Sequence, residues 1–108
     1  MIEDHFRGYV IWIGRNQDEN DELVTKASPE DYWLHLASVP SPHCIIDNPS
    51  GKRIHHKIIK HAAYLTKKYS KYSHVQKIDV CVTRIKFIKK TNKKGLVTVL
   101  NLIKIINS

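Results

Sequence analysis

The sequence is poor in several features that define common classes of protein. With two cysteines and four glycines in 108 residues, it is neither a disulfide-rich scaffold nor a low-complexity chain. No apolar stretch approaches the ~20 residues of a membrane-spanning helix. The acidic N-terminus also lacks the apolar segment of a signal peptide. We therefore expect a cytoplasmic protein without a membrane partner, or one of the host cytoplasm if the source is a virus or a parasite.

Metal-binding and catalytic motifs are missing as well. The seven histidines and two cysteines show neither C-x-x-C nor H-E-x-x-H spacing, so we predict no metal and no cofactor. There is no nucleophile elbow, P-loop or dinucleotide-binding fingerprint, and we predict that the protein is not an enzyme. Cys44 and Cys81 lie in apolar, strand-like runs, which favours buried reduced thiols over a disulfide or a redox pair.

Acidic residues are nearly absent from the second half of the chain. Residues 1–51 hold three basic and nine acidic side chains, whereas residues 52–108 hold fifteen basic side chains and one acidic one. The net charge is +8. Such an asymmetry indicates a polyanionic partner, with RNA or DNA ahead of an acidic membrane surface.

The first half reads as three strands and a short helix. Tyr9–Ile13 is a β-branched and aromatic run that predicts a buried strand. Asn16 is a good N-cap for a short helix with four acids in its first turns. Two further strands, a half-buried one over residues 31–37 and a short one over residues 43–47, flank a Pro-Ser-Pro turn and predict a hairpin.

The second half predicts one long helix and two strands. Apolar residues recur at three- and four-residue steps from Ile54 to about Lys71, which indicates an amphipathic helix with lysines on its other faces. The predicted apolar face consists of Ile54, Ile58, Ala62, Leu65, Tyr69 and Tyr72. Alternation predicts a long strand, or a strand with a bend, over Ile78–Ile88, then a basic hairpin loop over Lys89–Gly95 and a last strand over Leu96–Ile106.

These elements predict an α+β fold. We expect a single, mostly antiparallel sheet with one long basic amphipathic helix against one face and one short acidic helix. At this length the chain is expected to form one domain over residues 1–108, with a core of about residues 8–106.

One combination of short motifs is specific when it is taken together. The chain carries Gly14-Arg15-Asn16, then Glu19-Asn20-Asp21, then Asp31-Tyr32-Trp33-Leu34-His35, then Ser41-Pro42-His43. This series resembles the NFACT-R domain, whose motif is roughly G-R-N, Q-N-D, D-x-W-[FL]-H and G-S-H. The resemblance extends through Tyr69-Ser70-Lys71 to the closing hairpin, from about Gly8 to Ile106. Two departures are the prolines that surround Ser41, where the family has glycine, and Glu19 in place of glutamine.

The resemblance implies a non-catalytic RNA-binding module for structured RNA, either tRNA or ribosomal RNA. In long proteins, NFACT-R domains are part of factors that work on tRNA and on stalled large ribosomal subunits. The resemblance therefore implies a role in translation or ribosome-associated quality control. It also implies the ribosome as a possible partner. Free-standing versions exist, including a eukaryotic coiled-coil type whose members can bind DNA. This chain resembles a free-standing version.

The motif residues are the first candidates for RNA contacts. Arg15 and Asn16, at the junction of a strand and a helix, could bind a phosphate, or Arg15 could pair with a neighbouring acid. Trp33 and His35 share a strand face, where they could stack on an unpaired base if exposed, or belong to the core if buried. The motif-like candidates are Arg15, Asn16, Asn20, Trp33, His35 and His43.

Basic residues supply the candidates for phosphate contacts. They are Lys52, Arg53, Lys57, Lys60, Lys67, Lys68, Lys71, Lys89, Lys90, Lys93 and Lys94. The alternative for such a run is an ordinary solvated face. Other functions that stay open are a DNA-binding module, a protein adaptor on the ribosome surface, and an RNA-processing enzyme that uses Asp31, His35 and His43. The sequence does not predict an oligomeric state.

Overall fold

Eight strands and two α-helices form the protein, in a computed structural model that describes residues 1–108. The helices are α1 (Gln17–Lys26) and α2 (His56–Lys68). The strands are β1 (Ile2–Phe6), β2 (Tyr9–Ile13), β3 (Tyr32–Leu36), β4 (Cys44–Ile46), β5 (Asp79–Arg84), β6 (Ile88–Lys90), β7 (Val97–Val99) and β8 (Lys104–Asn107). The α+β class is confirmed. Neither helix is long and apolar enough to cross a membrane.

Six strands form the main sheet, in the order β1-β2-β4-β3-β5-β8, and every neighbouring pair is antiparallel. The predicted hairpin of β3 and β4 is present, with Trp33 opposite Ile45. Strands β6 and β7 pair only with each other, as a separate two-stranded sheet. The prediction of a single sheet is therefore wrong.

Helix α2 covers one face of the main sheet. Ile58, Ala62 and Leu65 pack there against alternate residues of the strands, such as Leu34 and Val82, in a cluster of 16 buried residues. Alternation along the strands and three- to four-residue spacing along α2 place these apolar side chains on facing surfaces.

Helix α1 and the β6–β7 hairpin cover the opposite face. Leu23 and Val24 of α1 pack with Trp33 and Ile45 of the sheet, and Val97 of the hairpin packs against the same cluster. Strand β3 is thus buried on both faces, not half-buried as its sequence suggested. The reason is that the hairpin, about sixty residues later in the chain, returns over that face.

Three other expectations need correction. Residues 2–6 form a polar edge strand that the sequence did not predict. The last predicted strand is broken into β7 and β8, which belong to different sheets. The long or bent strand predicted over Ile78–Ile88 is interrupted by a 3-10 turn at Ile85–Phe87, which separates β5 from β6.

Helix boundaries follow local chemistry. Asn16 caps α1, because its side-chain oxygen accepts a hydrogen bond of 2.9 Å from the Glu19 N–H. Helix α2 is shorter at both ends than predicted and begins after His55, whose Nδ1 accepts from the Lys57 N–H. Tyr69 follows the helix and is 43% exposed, so it does not belong to the apolar face.

Candidate nucleic-acid interface

A cleft of about 950 Å³ is lined by segments from both faces of the main sheet. The start of α1 and the β6–β7 hairpin form one side, the turn between β3 and β4 forms another, and the segment that follows α2 forms a third. Side chains of Trp33, His35 and His43 line its floor. Three basic residues, Arg15, Lys71 and Lys94, lie around it. The cleft thus brings together residues that are distant in sequence.

His43 holds the floor of the cleft together. It is 2% exposed. Its Nδ1 accepts a hydrogen bond of 3.1 Å from the Trp33 indole N–H, and its main-chain N–H donates to the Asn20 side-chain oxygen at 3.0 Å. Its carbonyl accepts from the Gly14 N–H at 3.0 Å. One residue therefore connects strand β3, the end of strand β2 and helix α1.

Gly14 is required at its position by the space around it. A Cβ atom there would lie 2.0 Å from the Asn20 side-chain oxygen that accepts from His43. No real contact is that short, so any side chain at residue 14 would displace the oxygen and break its hydrogen bond. The glycine of the Gly14-Arg15-Asn16 motif therefore supports the floor through its close approach to Asn20.

The histidine ring at residue 43 is neutral in the folded protein. Indole N–H groups can only donate, so Nδ1 of His43 must be unprotonated to accept from Trp33. Burial, with a smaller contribution from the nearby His35, lowers the pKa of His43 to about 4. Protonation of this ring would break the hydrogen bond to Trp33.

Mild acid should accordingly destabilise the protein. The unfolded chain takes up a proton at His43 near its ordinary pKa of 6.5, whereas the folded chain does so only near 4, so stability is present above pH 6.5 and falls below it. Between pH 7 and 4.5 the loss should be about 2–3 kcal/mol in the free energy of unfolding, measured by urea titration. His43→Gln should show a shallower pH dependence, and an equally steep one would contradict the assignment.

His35 differs from its neighbours because one of its nitrogens is free. Its ring stacks on Trp33, with centroids 5.4 Å apart and an interplanar angle of 12°. Nδ1 lies 2.6 Å from the Leu36 carbonyl, which can only accept, so Nδ1 carries the proton. Burial lowers the pKa of His35, and the neutral ring leaves Nε2 as an acceptor.

Arg15 forms an ion pair with Glu19, which is one of the two alternatives predicted for it. Its Nη2 lies 2.8 Å from Glu19 Oε2, and its Nε lies 3.1 Å from Oε1. Hydrogen bonds from Arg15 hold the pKa of Glu19 down to about 2. The Arg15 side chain is nevertheless 61% exposed beside the cleft, while the Asn16 side chain caps helix α1.

The exposed face of α2 carries a stripe of cations and tyrosines. Lys57, Lys60, Tyr64, Lys68 and Lys71 follow one another at three- and four-residue steps, which places them along one side of the helix and its continuation. Here they are called the α2 stripe. None of its lysines is in a salt bridge, and Lys68 Nζ lies 5.9 Å from the Tyr64 ring centroid. The stripe leads into the cleft, which Lys71 lines.

Several of the other predicted phosphate-binding lysines already have partners. Lys67 donates to the carbonyls of Gln76 and Ser108. Lys90 pairs with Asp21 at 3.1 Å, and Lys94 pairs with Asp18 at 3.3 Å. The acidic helix α1 thus neutralises part of the basic hairpin, because the two pack side by side. The remaining members, Lys52, Arg53, Lys89 and Lys93, are exposed and form no salt bridge.

The groups proposed for enzyme or metal chemistry are arranged for structural roles. Both carboxylate oxygens of Asp31 accept main-chain hydrogen bonds, from Ser28 and Asn48. Neither His35 nor His43 is hydrogen-bonded to a carboxylate. No group of three or more His, Cys, Asp or Glu is placed to hold a metal ion. Both cysteines are free thiols, and burial raises the pKa of Cys44 to about 12.

Comparison with known proteins decides the family. The model of the NFACT protein RNA binding domain matches residues 3–99. The chain belongs to this family. It is 32% identical over 94 residues to the Rqc2 homolog RqcH of Bacillus subtilis, an alignment that covers 84% of this chain and 16% of RqcH. It is 33% identical over 46 residues to the coiled-coil domain-containing protein 25 of Mus musculus, which covers 43% of this chain and 22% of that protein.

A solved structure has the same fold. The C-terminal of the fibronectin/fibrinogen-binding protein from Streptococcus suis superposes with a TM-score of 0.85 and 28% identity. The match covers 97% of this chain and 43% of that one. The matched part of this NFACT-R domain therefore corresponds to less than half the length of each of these proteins.

The motif of this NFACT-R domain is largely a hydrogen-bonded scaffold. Trp33 is 2% exposed and belongs to the core, the second of its two predicted alternatives. The Asn20 side chain accepts a hydrogen bond from the His43 main chain, and Nδ1 of His43 accepts one from Trp33. Among the motif-like candidates, His35 has a ring nitrogen, Nε2, that is without a partner and lines the cleft. Sequence reasoning missed Tyr69 and Leu96 as cleft residues. The Tyr69-Ser70-Lys71 part of the resemblance was a signal that could have found Tyr69.

Proposed function

We propose that this NFACT-R domain is a non-catalytic module that binds structured RNA, a tRNA or a ribosomal RNA. The observation that carries the proposal is the α2 stripe, whose unpaired lysines lead into a cleft with further cations around it. Lysines bind phosphates without reading sequence, and exposed tyrosines between them offer surfaces on which bases stack. Tyr64 is 52% exposed and Tyr69 is 43% exposed.

The basic surface extends beyond the stripe. Lys52 and Arg53 are exposed just before α2, and the helix contains no acidic residue. The four acids of α1 all have cationic partners: Asp18 and Asp21 pair with Lys94 and Lys90 of the hairpin, Glu19 pairs with Arg15, and Glu22 pairs with Lys26. Charge is thereby separated into a neutralised side and a positive side. A polyanion is attracted to the positive side, and the attraction weakens as salt rises.

The family and its relatives support a place in translation. The family is an RNA-binding domain, and the Rqc2 homolog RqcH is one of the relatives of this chain. We therefore propose ribosome-associated quality control as the process and the ribosome as a partner.

Binding of a tRNA measured by fluorescence anisotropy across a salt series tests the function. We expect binding at low salt, with the logarithm of affinity falling with the logarithm of salt at a slope of roughly −3 to −4. Competition with duplex DNA at matched salt separates RNA from DNA binding, and the RNA should remain intact after incubation. Absence of binding at low salt would show that the positive side is only a solvated face.

A further inference from the structure

We infer that the cleft receives a single unpaired nucleotide of the RNA, and that Nε2 of His35 accepts a hydrogen bond from the exocyclic amino group of an adenine or cytosine base. This inference rests on the proposed function and names the part of the RNA that enters the cleft. It begins from the free nitrogen at the floor. Nδ1 donates to the Leu36 carbonyl, so the neutral ring leaves Nε2 as an acceptor without a partner in the protein.

That nitrogen is open to the cleft. No buried side-chain nitrogen or oxygen in the protein lacks a hydrogen-bond partner, so an unpartnered Nε2 must reach solvent. His35 lines the cleft, with Cys81 directly across from it in the neighbouring strand. Burial lowers the pKa of His35, so the ring stays an acceptor at neutral pH.

The walls suit a base more than a phosphate. Leu96 and Val97 of the hairpin, Pro40 and Pro42 of the turn, and Tyr69 give the cleft apolar surfaces. Leu96 is 54% exposed, which leaves an apolar side chain for a ligand to cover. The floor carries no positive charge, since both of its histidines are neutral. A flat, uncharged ring that donates hydrogen bonds matches this interior.

The surroundings suit the backbone of the same nucleotide. Lys71 and Lys94 lie in the lining with Arg15, from three different segments of the chain. Of these, Lys71 has no acidic partner and is the last member of the α2 stripe. A strand of RNA that follows the stripe therefore reaches the cleft with its phosphates already on lysines.

The size of the cleft suits a single nucleotide. About 950 Å³ lies at the upper end of the ~300–1,000 Å³ typical of sites for drug-sized ligands, which include a nucleotide but not a duplex. Unpaired bases in loops and bulges are the parts of an RNA whose edges proteins can read. A base must leave its helix to meet His35.

Amino-lacking base analogues test the inference. One unpaired adenosine in an RNA hairpin is replaced by purine riboside, and in a second hairpin one unpaired cytidine is replaced by 2-pyrimidinone riboside. Each substitution removes one amino group and keeps the ring. We expect loss of the amino group from at least one of these bases to weaken binding roughly three- to tenfold, the range for one hydrogen bond.

Protein variants complete the test. His35→Phe keeps an aromatic ring against Trp33 but removes the acceptor, so it should bind both forms of each hairpin equally. His74→Phe, at an exposed histidine outside the cleft, should keep the wild-type difference. Equal binding of both forms by the wild-type protein overturns this inference alone. Failure of the wild-type protein to bind any of the hairpins overturns the proposed function, and the inference with it.

Discussion

Replacing Lys60, Lys68 and Lys71 together by glutamine should weaken binding to a tRNA roughly fifty-fold at about 0.1 M salt. These three lysines lie on the α2 stripe, and no acid neutralises any of them. If each contacts one phosphate, the salt slope should also become shallower by roughly 2. Glutamine keeps the helix, because its helix propensity is close to that of lysine. Anisotropy titrations at four or five salt concentrations measure both quantities.

The matched control removes three lysines that already have acidic partners. Lys26 pairs with Glu22, Lys86 pairs with Glu30, and Lys90 pairs with Asp21. Changing all three to glutamine lowers the net charge by the same amount as the stripe variant. We expect a loss of affinity several times smaller, because these cations are not free to bind phosphate. Equal losses in the two variants would mean that net charge, and not the stripe, determines binding.

Replacing His43 by alanine should lower the free energy of unfolding by about 3–4 kcal/mol, the sum expected for an unpaired buried donor and a cavity. The Trp33 indole N–H would lose its acceptor, and the buried imidazole ring would leave a cavity. Urea unfolding followed by tryptophan fluorescence measures the change. The total free energy of unfolding of a protein is only ~5–15 kcal/mol, so the variant should unfold at a much lower urea concentration.

Two comparisons make the His43 result specific. His74→Ala, at an exposed histidine, should change stability by less than about 0.5 kcal/mol. His43→Gln should fall between alanine and wild type, because its amide oxygen can accept from Trp33. A His43→Ala protein as stable as wild type would show that the buried network does not hold the cleft.

Local patterns in the sequence predicted local structure well. Asn16 followed by acids gave the start of α1, and alternation in residues 31–37 gave β3 and its hairpin with β4. These features depend on residues within a few positions of each other. Strand β1 was missed because its alternating Glu3 and His5 face outward at the edge of a sheet, where polar residues are ordinary.

Contacts between distant residues could not be predicted. The break between β7 and β8 lies in an apolar run, and the main chain there is held by Thr83, whose hydroxyl donates to the Asn101 carbonyl. The hydrogen bonds of His43 depend on Trp33 and Asn20, which lie 10 and 23 residues away in the sequence. The pairing of Lys90 with Asp21 spans 69 residues of sequence, since α1 and the hairpin pack on the same face.

The most direct test of the RNA-binding surface is ultraviolet crosslinking of the protein to a bound tRNA, followed by mass spectrometry of the crosslinked peptides. Our account predicts crosslinks at Tyr64 and Tyr69, the exposed tyrosines of the α2 stripe and the cleft. Crosslinks concentrated instead at Trp12 of β2, which packs with α1 on the opposite face of the sheet from α2, would contradict it.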